Sequence, residues 1–103
     1  MHDLYGKVGV VTGAASGIGK VLVDSFLRVG MKVVMADIDE EKLKEEVVHY
    51  LNSGAEVLGV VCDVSQPEHV ERLSQKSLET FGAVHLLCNN AGVGYNGFRS
   101  WEA

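Results

Sequence analysis

The stretch Lys7-Val8-Gly9-Val10-Val11-Thr12-Gly13-Ala14-Ala15-Ser16-Gly17-Ile18-Gly19 decides the fold. Its first part, 7–12, is short, apolar and rich in valine, the pattern of a strand buried on both faces. Three glycines follow at once. Beyond them, Ile18, Val21, Leu22, Phe26 and Val29 recur at helical spacing. This predicts a helix over 17–29 with those residues on its buried face, closed by Gly30 in the left-handed conformation that ends many helices. A strand, a glycine-rich turn and a helix in that order suit a pyrophosphate. Backbone N–H donors converge at the helix N-terminus, where the dipole is positive. Gly13 permits the sharp turn, Gly17 lets a ligand approach the backbone, and Gly19 lets the helix pack close to the sheet. Ala14, Ala15 and Ser16 are small, and the Ser16 hydroxyl can add a polar contact. A tight strand–helix turn without a ligand would use the same glycines, but the strand before and the helix after favour the ligand.

The same punctuation repeats along the chain. Strands are expected at 32–36, 57–62 and 84–88. A helix over 40–51 carries Leu43, Val47, Tyr50 and Leu51 on its buried stripe, with Glu40 and Glu41 at its positive end. A third helix runs through Val70, Leu73 and Phe81 to Gly82, and Ser65-Gln66-Pro67-Glu68 reads as its capping box. After Asn90 the chain is glycine- and aromatic-rich loop. Strand–helix alternation with near-continuous apolar strands predicts an α/β fold. It is a Rossmann-like, doubly wound parallel sheet of four strands in the order 3-2-1-4 with three helices. Residues 1–92 form the dinucleotide-binding half-domain and 93–103 a loop leading toward a missing C-terminal half. Strand 84–88 is apolar on both faces yet has nothing after it to pair with, so its edge is expected to be bare.

Composition narrows the partners. The 103 residues carry a formal charge of −5, which argues against a nucleic-acid or anionic-membrane surface. The apolar runs are far shorter than a bilayer span and the N-terminus lacks the order of a signal peptide, so a cytoplasmic protein is expected. Cys62 and Cys88 fit no metal or redox spacing and are expected to be buried free thiols. The strand order holds them about 14 Å apart, beyond disulfide reach. The histidines share no metal spacing, and His49 and His69 are expected on solvated helix faces.

Three further features sit where the strands end. Asp37, 18 residues after Gly19, can accept hydrogen bonds from both adenosine ribose hydroxyls and would repel a 2′-phosphate. No basic residue follows it directly, since Ile38 is next, so NAD is favoured over NADP. Asp37 or Asp39 can instead cap the following helix, with Asp39 the better placed. Asp63 can accept from an adenine amino group while the Val64 backbone borders the ring, or can serve as a turn residue. In Asn89-Asn90-Ala91-Gly92, asparagine can bond strand backbones and a ribose together and Gly92 allows close approach, although a plain asparagine–glycine turn reads the same way.

Taken together, these elements resemble the classical short-chain dehydrogenases/reductases over essentially the whole chain. Thr12-Gly13-x-x-x-Gly17-x-Gly19 matches the family's cofactor motif, Asn89-Asn90-Ala91-Gly92 its second signature, and Asp37 and Asp63 fall between at the expected points. The resemblance implies that Gly13, Ser16, Ile18, Asp37, Asp63, Val64, Asn90 and Gly92 line the site of a dinucleotide cofactor. Gly9 stands where a larger apolar residue is expected, and His85 where the family often has aspartate. The family's chemistry uses a serine and a Tyr-x-x-x-Lys pair well beyond the second signature. Here Tyr5, Tyr50 and Tyr95 are followed four residues on by Gly9, Gly54 and Arg99, so no catalytic residue is assigned and the chain alone is expected to be inactive. For a full-length protein the resemblance implies NAD-dependent alcohol/carbonyl interconversion by hydride transfer, a small-molecule substrate and a homo-oligomer. The alternatives are a non-catalytic fragment that binds the ADP half of NAD, and a methyltransferase with an adenosyl cofactor. The phosphate-type turn and the Asn-Asn-Ala-Gly signature speak against the last.

Overall fold

In a computed structural model, which describes residues 4–90 and 98–99, the valine-rich run forms strand β1 (Val8–Thr12), with all five residues buried. Helix α1 (Gly17–Arg28), strand β2 (Lys32–Asp37), helix α2 (Glu40–Asn52) and strand β3 (Val57–Val61) follow. Helix α3 (Pro67–Phe81), strand β4 (Leu86–Asn89) and a two-residue strand β5 (Phe98–Arg99) complete the order. The element bounds differ from the sequence expectation by a residue or two. The sheet order is β3-β2-β1-β4-β5, so the expected 3-2-1-4 core is present with parallel pairing throughout.

Alternation along the strands divides the core in two. Val8, Val10, Val34, Ala36 and Val60 face α3 and pack with Leu73 and Val84. Val11, Val33 and Met35 face the other way, onto Val23 of α1 and Leu43 and Tyr50 of α2. Because side chains of a strand point alternately to its two faces, each valine run supplies both layers. Cys62 belongs to the first layer and Cys88 to the second; both are buried free thiols. The sheet itself lies between them.

Four expectations are corrected. The edge of β4 is not bare, because β5 pairs with it antiparallel, Leu87 opposite Arg99 and Cys88 opposite Phe98. A strand of two residues is too short for any alternation to show in sequence. On α1, Ile18, Val21 and Val29 are exposed, and the buried line runs through Gly19 and Val23 with Leu22, Phe26 and Leu27 partly buried. Gly19 has no side chain to count, so an apolar tally shifts the stripe by a residue. Leu51 of α2 and Val70 of α3 are likewise exposed. The capping box does not form. Gln66 is the N-cap without a side-chain bond, Pro67 opens the helix as expected, and Ser65 turns back to Asp63.

The two departures from the family pattern have structural reasons. A Cβ on Gly9 would stand 3.1 Å from Met31 Cε and 3.3 Å from the Phe26 ring, so α1 packs into the space a side chain would fill. His85 Nδ1 accepts the Val8 N–H at 3.0 Å while the His85 N–H donates to the Val8 carbonyl at 2.9 Å. The imidazole thus does what a carboxylate oxygen could do, accepting the N–H at the start of β1. Its proton consequently sits on Nε2.

Candidate cofactor site

All four parallel strands end at the same edge of the sheet, and the candidate residues lie at those ends or in the turns and first helical turn just beyond them. The crossover from β1 leads through α1 to β2 on one side, whereas β4 lies on the other side of β1. That reversal opens a crevice at the ends of β1 and β4, where ligands of open α/β sheets bind.

The turn after β1 is shaped by two left-handed glycines, Gly13 at φ +63° and Gly17 at φ +60°. Between them Ala14 and Ala15 are buried, and Ser16 occupies the N-cap position of α1 in an extended conformation without a side-chain capping bond. No acidic residue stands in the first turn of α1, in contrast to Glu40 and Glu41 in α2. The N-terminal dipole of α1 is therefore left without a carboxylate of its own helix, which suits an anion. A Cβ on Gly17 would meet nothing within 4 Å, so the backbone there is open to an approaching group. Ile18 is exposed beside it. At Gly19 the opposite holds, since a Cβ would lie 1.9 Å from the Gly13 carbonyl oxygen and 2.9 Å from Asn90 Nδ2. Gly19 is what lets α1 start directly against the end of β1.

Asp37 ends β2 and reaches this turn. Its Oδ2 accepts the Ala15 N–H at 2.9 Å and its Oδ1 accepts the Asp39 N–H at 2.9 Å. Asp39, not Asp37, caps α2, accepting the Lys42 N–H at 3.1 Å. A carboxylate offers about four lone-pair sites, so these two bonds leave Asp37 with acceptor capacity for a vicinal diol.

Asp63 follows β3 and is a turn residue. Its Oδ1 accepts from the Ser65 hydroxyl at 2.7 Å and from the Ser65 N–H at 3.0 Å. The Ser65 hydroxyl bond, then the Ser65 N–H bond, hold its carboxyl below the usual carboxylate range. The Asp63 N–H in turn donates to His69 Nδ1 at 3.1 Å. His69 is thus half-buried and structural, which corrects its expected place on a solvated face. Val64 packs its side chain against the layer under α3.

At the end of β4, Asn90 Nδ2 donates to the Gly13 carbonyl at 3.3 Å, so the crevice is tied across its mouth. One residue earlier, Asn89 Oδ1 accepts the Thr12 hydroxyl at 2.8 Å. These bonds join positions 77 residues apart, which no local pattern could display. Ala91, Gly92 and Tyr95 lie outside the described residues. Among the described residues no cluster of metal-ligating side chains occurs, and no helix is long and apolar enough to cross a membrane.

A doubly wound sheet with a glycine turn, an open α1 N-terminus and a carboxylate at the end of β2 defines a Rossmann-type nucleotide-binding architecture. The profile of the short chain dehydrogenase family matches residues 7–102, and the chain belongs to that family of oxidoreductases, matching its N-terminal, cofactor-binding part. It is 43% identical over 102 residues to a CLA biosynthesis dehydrogenase/reductase of Lactiplantibacillus plantarum, covering 99% of this chain and 35% of that protein. To a 1-deoxy-11-beta-hydroxypentalenate dehydrogenase of Streptomyces exfoliatus it is 45% identical over 103 residues, covering 99% of this chain and 37% of that one. Among solved structures, a short chain dehydrogenase/reductase from Burkholderia phymatum in complex with NAD superposes with a TM-score of 0.82 at 46% identity. That match covers 84% of this chain and 31% of the other. The chain therefore spans about a third of the length of the proteins it matches.

Proposed function

We propose that residues 1–92 hold the ADP half of NAD, and that the chain is the cofactor-binding part of an NAD-dependent alcohol/carbonyl oxidoreductase. The observation that carries this reading is the Asp37 carboxylate, bonded to the Ala15 N–H of the glycine turn beside the uncapped start of α1. Ribose recognition and pyrophosphate recognition are thereby adjacent. The residues fit the group: Gly17 leaves the backbone open, the α1 N-terminus offers N–H donors, and Asp37 keeps acceptor capacity. Gly13, Ser16, Gly17, Ile18 and Gly19 would border the pyrophosphate, and Asp37 the adenosine ribose. Asp63 and Val64 would border the adenine, and Asn90, Ala91 and Gly92 the crevice beyond. When bound, the dinucleotide supplies hydride transfer; what this chain contributes is binding and orientation.

NAD is favoured over NADP because a 2′-phosphate would face Asp37, and like charges juxtaposed at an interface cost on the order of several kcal/mol. Titration calorimetry with NAD, ADP-ribose and NADP tests this directly. Tighter binding of the first two is expected, and equal affinity for NADP would remove the assignment of Asp37. Gly13→Val should abolish binding of all three, since it forces a β-branched residue into a left-handed turn where the pyrophosphate lies.

A second reading, a nucleotide holder that catalyses nothing by itself, is favoured by one sequence fact. No tyrosine of the 103 residues is followed four positions later by lysine. Tyr50, moreover, is engaged between α1 and α2, its hydroxyl donating to Asp24 Oδ1, and burial together with that bond pushes its pKa up. Residues 93–103 would then lead on toward the part of a full-length protein that holds a small-molecule alcohol or carbonyl substrate and, by family resemblance, assembles as a homo-oligomer. Buried free thiols suit a cytoplasmic setting. An assay of this chain for NAD reduction with a panel of alcohols is expected to show no turnover, and measurable turnover would overturn the second reading.

A further inference from the structure

Resting on the nucleotide reading, we infer that Asp37 also acts as a positioning residue: its carboxylate organises the phosphate turn before any ribose arrives. The turn is poorly specified by local sequence. Gly13 and Gly17, both left-handed, flank Ala14-Ala15-Ser16, and glycine gives the backbone more freedom than any other residue. The N-cap serine makes no capping bond that would stiffen the segment from within. Order has to come from outside, and three ties supply it. The Ala14 N–H donates to the Ala36 carbonyl at 3.0 Å, the Ala15 N–H donates to Asp37 Oδ2 at 2.9 Å, and the Gly13 carbonyl accepts from Asn90 at 3.3 Å.

Two consecutive N–H groups of the turn are thus held by consecutive residues at the end of β2, one by a main-chain oxygen and one by a side chain. Asp37 is itself held, because its other oxygen accepts the Asp39 N–H at 2.9 Å. The carboxylate is therefore a bracket between the phosphate turn and the start of α2. A charged acceptor makes this the tie whose loss costs most, on the order of tenfold in an equilibrium constant. Removing it to admit a 2′-phosphate would slacken the turn at the same time. Affinity for every nucleotide would fall, rather than NAD being exchanged for NADP.

The test separates the bracket from the ribose contact by using ligands with and without ribose hydroxyls. ADP and 2′,3′-dideoxy-ADP are titrated into the wild-type chain, D37A and D37N, with thermal melts to establish that each is folded and amide exchange followed at Ala15. The bracket predicts that D37A weakens dideoxy-ADP about tenfold while exchange at Ala15 accelerates, and that D37N, which keeps an acceptor oxygen, recovers part of both. If D37A weakens ADP and leaves dideoxy-ADP unchanged, Asp37 acts through the ribose alone; the positioning role is overturned and the nucleotide reading stands. If the wild-type chain binds neither ligand, the nucleotide reading falls and takes this inference with it. Should D37A not fold, the unliganded wild type decides: protection of the Ala15 amide supports the bracket, and exchange at the free-peptide rate refutes it.

Discussion

Replacing Gly19 by alanine tests the packing of the site with a result whose sign is diagnostic. Gly19 lies inside α1, where helix propensity alone favours alanine over glycine by about 1 kcal/mol. Helix propensity taken alone therefore predicts stabilisation. The structure demands the reverse, because the added Cβ would sit 1.9 Å from the Gly13 carbonyl oxygen and 2.7 Å from its carbon. Both obstacles are main chain and cannot rotate away, so α1 must lift off β1. Overpacking of this kind costs roughly 1–3 kcal/mol, and a backbone obstacle puts it at about 3. With an unfolding entropy of about 2.1 cal/mol/K per residue, a chain of this size loses roughly 4–5 °C of Tm per kcal/mol, or about 14 °C in all. The lift also pulls the Gly13 carbonyl from Asn90, whose Nδ2 would itself lie 2.9 Å from the new carbon. Nucleotide affinity should fall with stability. Gly17→Ala is the control: its Cβ would meet nothing, so it pays only the left-handed backbone cost of about 1–2 kcal/mol. Calorimetric melts of the three proteins decide the matter. A Gly19→Ala chain that melts at or above the wild type would refute the claim that α1 abuts the end of β1.

Three other outcomes are expected. His85→Leu should lose about 1–3 kcal/mol in urea unfolding because it orphans the Val8 N–H, whereas His85→Asn, which restores an acceptor oxygen, should lose less than half of that; equal losses would count against the bond. Burial pushes the Cys88 thiol up to about 11, so it should react with a disulfide reagent at pH 8 about a hundredfold more slowly in the native chain than in guanidinium; burial raises Cys62 as well, and it should also be slowed. Because a raised thiol pKa favours the protonated form in the folded state, that stabilisation is complete below the free-thiol pKa and is lost as pH rises toward 11; native labelling as fast as unfolded labelling would contradict the burial of both. Ser65→Ala should move the Asp63 carboxyl titration, followed by NMR, back up toward the ordinary carboxylate value. A depressed carboxyl stabilises above its unfolded pKa and ceases to do so as pH falls through its folded one, so the acid limb of wild-type stability should steepen there, and an unmoved Asp63 titration would disprove the cause assigned to its shift.

What the sequence determined by itself was local or periodic. The valine runs of β1 and β2 are legible because burial on both faces needs apolar residues at every position. The glycine turn is legible because left-handed backbone at Gly13 and Gly17 leaves little choice of residue. Asp37 is legible because it stands a fixed distance beyond that turn, and strand order follows from the handedness of the crossovers. The tertiary structure decided whatever depends on a partner distant in the chain. The line α1 buries is centred on Gly19, which the motif already marks as a close-packing position, but only the structure shows that the Gly13 carbonyl is what a side chain there would strike. The roles of His69 and His85 as acceptors of backbone N–H groups depend on where β3 and β1 happen to end and begin. Ser65 bonds Asp63 rather than capping α3, since a carboxylate two residues away competes successfully for its hydroxyl. The pairing of Phe98 and Arg99 with β4 could come from no periodicity at all, because an exposed strand edge recruits whatever backbone the chain brings alongside it.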